Sequence, residues 1–140
     1  MIIVDTNVVT ELLRLTPEPR VEEWLAAHDG LHIYPTAISE AELRYDVAIM
    51  DDGKRRDGLA DAIDRILRDD MAGRVPAFDS AAAEAYATIA ASRRGAGRPI
   101  AQVDCQIAAI ARARGATVAT RKTADFEGCG VNLINPWTVE

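Results

Sequence analysis

Cysteine is scarce in this 140-residue chain, with only Cys105 and Cys129 present. Neither belongs to a CxxC pair or to a Cys/His set at metal-ligand spacing, so a disulfide framework and a structural zinc site are both poorly supported. Reduced thiols are expected. The two histidines are as sparse, which leaves no imidazole cluster for a borderline metal. No apolar run approaches the roughly 20 residues a membrane helix requires, and no basic stretch leads into a long apolar one near Met1. The chain therefore reads as soluble and cytoplasmic. Positive charge is also short: 16 basic residues stand against 22 acidic ones, a net charge of −6. That balance opposes long-range attraction to RNA or DNA and counts against a simple nucleic-acid-binding module. It leaves room for a nuclease, because a divalent cation at a carboxylate cluster inverts the local field. Basic residues do gather locally, at Lys54-Arg55-Arg56 and at Arg93, Arg94 and Arg98, as either solvated loop charges or a phosphate guide.

What the chain does have is a pattern of short apolar runs separated by helical periodicity. Met1-Ile2-Ile3-Val4 runs directly into Asp5, and so short an apolar run bounded by polar residues predicts a buried strand of a parallel sheet. Val8, Val9, Leu12, Leu13 and Leu15 follow at helical spacing until Thr16-Pro17-Glu18-Pro19 stops them. A second helix is expected from Pro19 to near Asp29-Gly30, with Val21, Trp24 and Leu25 on one face, then a strand over 31–35. Helices are predicted over 36–50 and, after Asp51-Asp52-Gly53, along Leu59, Ile63, Ile66 and Leu67. Residues 75–78 suggest an edge strand, since Pro76 is poorly tolerated in a central one. Asp79 or Ser80 then caps an alanine-rich helix to about Arg94, and Pro99 suits the first turn of another that stops at Gly115. Strands are expected at 116–120 and 131–134. Strands alternating with helices imply parallel pairing and right-handed crossovers. The expectation is a single α/β domain spanning 1–140, with a central, mostly parallel sheet flanked by helices.

Two acids fall where acids do not belong. Counting about 100° per residue from Ile100, Asp104 lies at about 40°, pointing into the stripe formed by Ile100, Val103, Ile107, Ile110 and Ala111. The same count from Ile38 puts Glu42 at about 40°, beside Tyr45 and Ile49. An ionised carboxylate taken out of water costs several kcal/mol, so an inward acid needs a cation, strong donors or a proton. Asp5 at the first strand's end and Asp125 just past the 116–120 strand add two more acids that one crevice can collect. A hard divalent cation, Mg²⁺ or Mn²⁺, suits such an all-oxygen set. Plainer roles stand beside this one: Asp5 as a helix cap, Ser39 and Glu42 as a capping box, Asp125 as a turn cap, and Asp104 in a structural ion pair. Glu11, Asp46 and Asp79 are assigned to capping and solvation.

The segments Met1 to Val8, Ser39-Glu40-Ala41-Glu42-Leu43-Arg44-Tyr45, Ile100 to Asp104, and Thr120-Arg121 through Asp125-Phe126 together resemble PIN-domain proteins of the VapC type, close to the FitB-like branch. The likeness runs nearly the whole chain, to Leu133-Ile134-Asn135-Pro136-Trp137. It implies a toxin of a type II toxin-antitoxin system: a Mg²⁺- or Mn²⁺-dependent endoribonuclease, usually a homodimer, held inactive by a cognate antitoxin and able to form a larger assembly with it. By matching motif positions, Asp5, Glu42, Asp104 and Asp125 correspond to the family's acidic cluster, with Thr6 as an auxiliary hydroxyl ligand. The chain departs from the FitB-like pattern at Asp46, where glycine is common, and at Lys122, where the pattern reads Thr-Arg-Asn. An ammonium there either pairs with an acid and weakens metal binding or reaches outward to a substrate phosphate.

The leading expectation is RNA phosphodiester hydrolysis, with Arg93, Arg94 and Arg98 guiding the backbone. Two rivals remain at the level of sequence. One is a PIN-like scaffold that has lost catalysis at Lys122 and survives as an antitoxin-binding dimer, with grooves near Trp24, Leu25 or Ile49 taking an amphipathic partner segment. The other is a small-molecule phosphohydrolase with Asp5 as nucleophile, although Asp5-Thr6-Asn7 lacks a second aspartate and no glycine-rich phosphate loop follows.

Overall fold

The computed structural model describes residues 1–28, 32–71 and 73–139. Strand β1 (Ile2–Val4) leads into helix α1 (Thr6–Leu12) and helix α2 (Pro19–Ala26), after which β2 (Ile33–Tyr34) returns parallel to β1. Helices α3 (Ala37–Ala48), α4 (Lys54–Arg65), α5 (Ser80–Gly95) and α6 (Gln102–Ala113) follow, then β3 (Thr117–Ala119) and β4 (Leu133–Ile134). The sheet order is β2-β1-β3-β4, and every pairing is parallel. The expected α/β architecture is the one observed.

Alternation along the strands sorts the core onto the two sheet faces. Val4 and Ala119 point to one side, into a cluster with Val8, Trp24, Leu43 and Ile63. Ile3 and Val118 point to the other, against Ile89, Ile107 and Phe126. Both β1 and β3 are covered on both faces, which is why β1 is an unbroken apolar run and β3 carries the fully buried pair Val118-Ala119. Cys105 and Cys129 are free and buried in the second cluster. Burial pushes the Cys105 thiol up to about 11 and raises that of Cys129, so both are protonated and unreactive at neutral pH. Gly115 sits just past α6 at φ +65°, the left-handed position that lets the chain turn from helix into β3.

Several local expectations are corrected. Residues 75–78 form no strand; the Pro76 carbonyl instead accepts the Ala37 N–H at 2.9 Å, satisfying the start of α3. The last major helix begins at Gln102, leaving Pro99 outside it, because Ala101 is extended (φ −60°, ψ 143°) and Ile100 packs against the second cluster. Leu15 lies beyond the end of α1 and is fully exposed. On α3 the buried face is Ser39, Leu43 and Val47, while Tyr45 and Ile49 are 63% and 64% exposed. Leu43 and Val47 win because they meet the Val8 cluster, and Ser39 turns inward because its hydroxyl finds a partner there. The expected boundary near Asp29-Gly30 and the start of a strand at Leu31 lie outside the described residues. Among the described residues, no helix is long and apolar enough to cross a membrane.

Candidate active site

The C-terminal ends of β1 and β3 open into a crevice of about 610 Å³, lined by residues that include Asp5, Thr6, Glu42, Asp104, Arg121 and Lys122. This is where a parallel sheet presents its ligand-binding loops. Asp5 is 2% exposed. Its Oδ1 accepts the Thr6 N–H at 2.8 Å, and its Oδ2 accepts Thr120 Oγ1 at 2.7 Å and Asn7 Nδ2 at 3.1 Å. Asp5 is thus both the cap of α1 and a wall of the crevice. Burial raises its pKa above the ordinary carboxylate value, against hydrogen bonds from Thr120 and Thr6 and the Lys122 charge that lower it; the nearby Asp104 charge raises it further.

Asp104, in the first turn of α6, is 7% exposed, as its place in the apolar stripe predicts. Its Oδ1 accepts the Lys122 Nζ at 2.9 Å. Burial works against the Lys122 ammonium, but the hydrogen bond and charge of Asp104 outweigh it, and its pKa lies above the ordinary lysine value. Lys122 therefore turns inward to an acid and does not reach outward. Glu42 is half-buried, and its Oε1 accepts Thr6 Oγ1 at 2.6 Å; the same hydroxyl lies 2.8 Å from Ser39 Oγ. Ser39 and Glu42 do not form a capping box, since Thr36 caps α3 through its hydroxyl and the Ser39 N–H at 3.1 Å.

Three of the four acids thus share one crevice, each with its own partners. Asp125 is the exception: it is exposed on the 3-10 turn Thr123–Phe126, outside the lining, and joins the site's field only through its charge on Lys122. A helix face can be read from periodicity, whereas the direction of a short turn cannot.

The arginines expected to guide a substrate stand elsewhere. Arg93 is 7% exposed, and its guanidinium donates to the carbonyls of Arg98 (2.7 Å), Asp125 (3.0 Å) and Glu127 (2.8 Å). It fastens the 123–129 segment to α5 and has been taken out of reach of a phosphate. Arg94 and Arg98 are exposed away from the crevice, with Arg98 3.5 Å from Glu127. The cations that do line it are Arg14, Arg121 and Lys122.

Glu11, assigned by sequence to capping, is buried and lines the same crevice. Burial acts to raise its pKa, but the Glu18 N–H, Arg14 and a hydrogen bond from the Trp137 side chain outweigh it and hold it below the ordinary value. Its position four residues after Asn7 on α1 was the available signal, since both then face the same way.

Among the described residues, no three His, Cys, Asp or Glu side chains stand together as a ready-made metal cage. The donor chemistry nonetheless fits a hard divalent cation: the contributing groups are carboxylate and hydroxyl oxygens, and the Lys122 ammonium already shows that Asp104 takes a positive charge.

A PIN-domain family model matches residues 2–127. The chain belongs to the PIN-domain family. The chain is also similar to known proteins along almost its whole length: the VapC ribonuclease Y4jK of Sinorhizobium fredii is 41% identical over 137 residues, 98% of each chain. Toxin FitB of Neisseria gonorrhoeae is 39% identical, over 98% of this chain and 99% of its own. Among solved structures, FitAB bound to an IR36 DNA fragment contains a chain that superposes with a TM-score of 0.92 at 38% identity, covering 100% of this PIN domain and 98% of that chain.

Proposed function

We propose that this PIN domain is the toxin of a toxin-antitoxin pair and acts as a divalent-cation-dependent endoribonuclease. The observation that carries the reading is the burial of Asp5 and Asp104 in one crevice at the strand ends. Kinship with a VapC ribonuclease and with a toxin supports it. Asp5, Asp104 and Glu42 would hold Mg²⁺ or Mn²⁺. When bound, such an ion supplies Lewis acidity towards water and phosphate and offsets the charge that develops in hydrolysis.

The chain's own residues do the rest. Thr120, Asn7 and the Thr6 N–H fix the Asp5 carboxylate in orientation. Thr6 Oγ1 holds Glu42 toward the crevice, and Ser39 supports that hydroxyl from behind. Asp125 enters as an outer acid acting through Lys122. Donors on both Asp5 oxygens lower their nucleophilicity, which weighs against an aspartyl-phosphate mechanism. The partner would be an antitoxin, and the toxin itself would be a homodimer.

Asp5→Asn and Asp104→Asn should each abolish EDTA-sensitive cleavage of RNA by the purified protein; full activity in either variant overturns the assignment. One observation favours a second reading. The Lys122–Asp104 pair would leave an antitoxin-binding scaffold with impaired catalysis if it excludes the metal, and metal titration separates the two.

A further inference from the structure

We propose that Trp137 and Arg121 form a stacking platform that receives one unpaired nucleobase beside the acid crevice. The inference rests on the ribonuclease reading for its substrate class, single-stranded RNA, and on the crevice's own geometry for everything else. A chain of net charge −6 repels RNA at long range, so binding must come from local cations and from contacts that do not depend on charge. Three cations line the crevice, and two are already spent: Arg14 is 2.8 Å from Glu11, and Lys122 is 2.9 Å from Asp104. Among the described residues, Arg121 makes no ion pair. Its guanidinium instead lies 5.1 Å from the centroid of the Trp137 ring, within cation-π range.

Trp137 is half-buried, lines the same crevice, and is held from several sides. Its N–H donates to Asn135 Oδ1 at 2.9 Å, its carbonyl accepts Arg20 Nη1 at 3.3 Å, and its side chain hydrogen-bonds the Glu11 carboxylate. Arg121 is tied to the acids through Asn7, whose Oδ1 accepts the Arg121 N–H at 3.2 Å while its Nδ2 donates to Asp5 at 3.1 Å. An aromatic ring with a guanidinium against it, fixed in orientation and joined to the acid site by one side chain, suits a planar base more than a phosphate. Stacking on such a platform tolerates any base.

The test uses the full-length protein in EDTA, where no cleavage competes, at low salt. A fluorescently labelled six-nucleotide oligoadenylate and an abasic oligomer of the same length and charge are titrated by anisotropy. Oligoadenylate should bind more tightly than the abasic oligomer. Trp137→Ala should lower oligoadenylate affinity on the order of tenfold and leave the abasic oligomer unchanged. Arg121→Gln should weaken both. Trp137→Phe keeps a ring and guards against loss of folding: it should retain most of the oligoadenylate preference while removing the quenching of intrinsic emission by the oligomer, because the remaining Trp24 is buried. Equal binding of the two oligomers, or an unchanged preference in Trp137→Ala, overturns the platform. Retained cleavage in Asp5→Asn would overturn the nuclease assignment and leave these binding results to stand or fall separately.

Discussion

Lys122 offers the sharpest perturbation of the metal site. The Nζ–Oδ1 contact of 2.9 Å joins a lysine side chain 46% exposed to an aspartate side chain 10% exposed. Fully exposed pairs contribute less than about 1 kcal/mol, and breaking a fully buried one costs about 3–5 kcal/mol. A pair with one wet partner falls between, at about 1–2 kcal/mol after allowance for solvent screening. A divalent ion seeking Asp104 competes with this ammonium for the same carboxylate. Lys122→Asn should therefore tighten Mn²⁺ binding about 5- to 30-fold, measured by isothermal titration calorimetry at low salt, with Lys122→Arg as the charge-keeping control. The metal-free Lys122→Asn protein should melt at a lower temperature, since Asp104 and Asp5 lose their shared counter-charge, and should recover on adding Mn²⁺. A raised lysine pKa means that the pair's contribution is complete below about pH 10.5 and lost as the pH rises through the folded value, so the result should not change across neutral pH. Unchanged or weaker Mn²⁺ affinity in Lys122→Asn would refute the competition.

Two further outcomes follow from the same geometry. Because the Asp5 pKa is raised, the folded state holds that proton more tightly than the unfolded chain, and stability falls as the pH rises from about 3.8 through the folded value. Asp5→Asn should thus be more stable than the parent at pH 7 by roughly 1 kcal/mol in the absence of metal, with the gain vanishing below about pH 4 in urea denaturation; a gain independent of pH would contradict the burial argument. Arg93→Ala should cost about 2–4 kcal/mol by leaving three backbone carbonyls without their donor, and a substitution that lowered RNA affinity without lowering the urea midpoint would restore the substrate-guiding role.

Much of the site was legible because it lies on regular elements. The 3.6-residue period sufficed to place Asp104 among buried neighbours, even though Ile100, from which the count began, lies outside α6. It misled on α3, where counting Ile and Tyr as inward put Tyr45 and Ile49 in a core that Leu43 and Val47 fill. Glu42 was nonetheless placed near the crevice, because a half-buried position borders both faces. Arg93, Arg94 and Arg98 looked like one patch by proximity in sequence, yet the first turns inward while the other two stay in solvent.

The amino-acid order alone determined the parallel α/β plan, the strand end carrying Asp5 and the inward face of Asp104, since apolar spacing and strand-helix alternation are local properties written within a few turns of chain. Only the folded molecule decided which charges neutralise which. Thr6 meets Glu42 across 36 residues, Lys122 meets Asp104 across 18, and Arg93 reaches Asp125 and Glu127 across 32 and 34. A hydrogen bond or ion pair depends on distances of about 3 Å, and packing between distant elements sets such distances after each has formed.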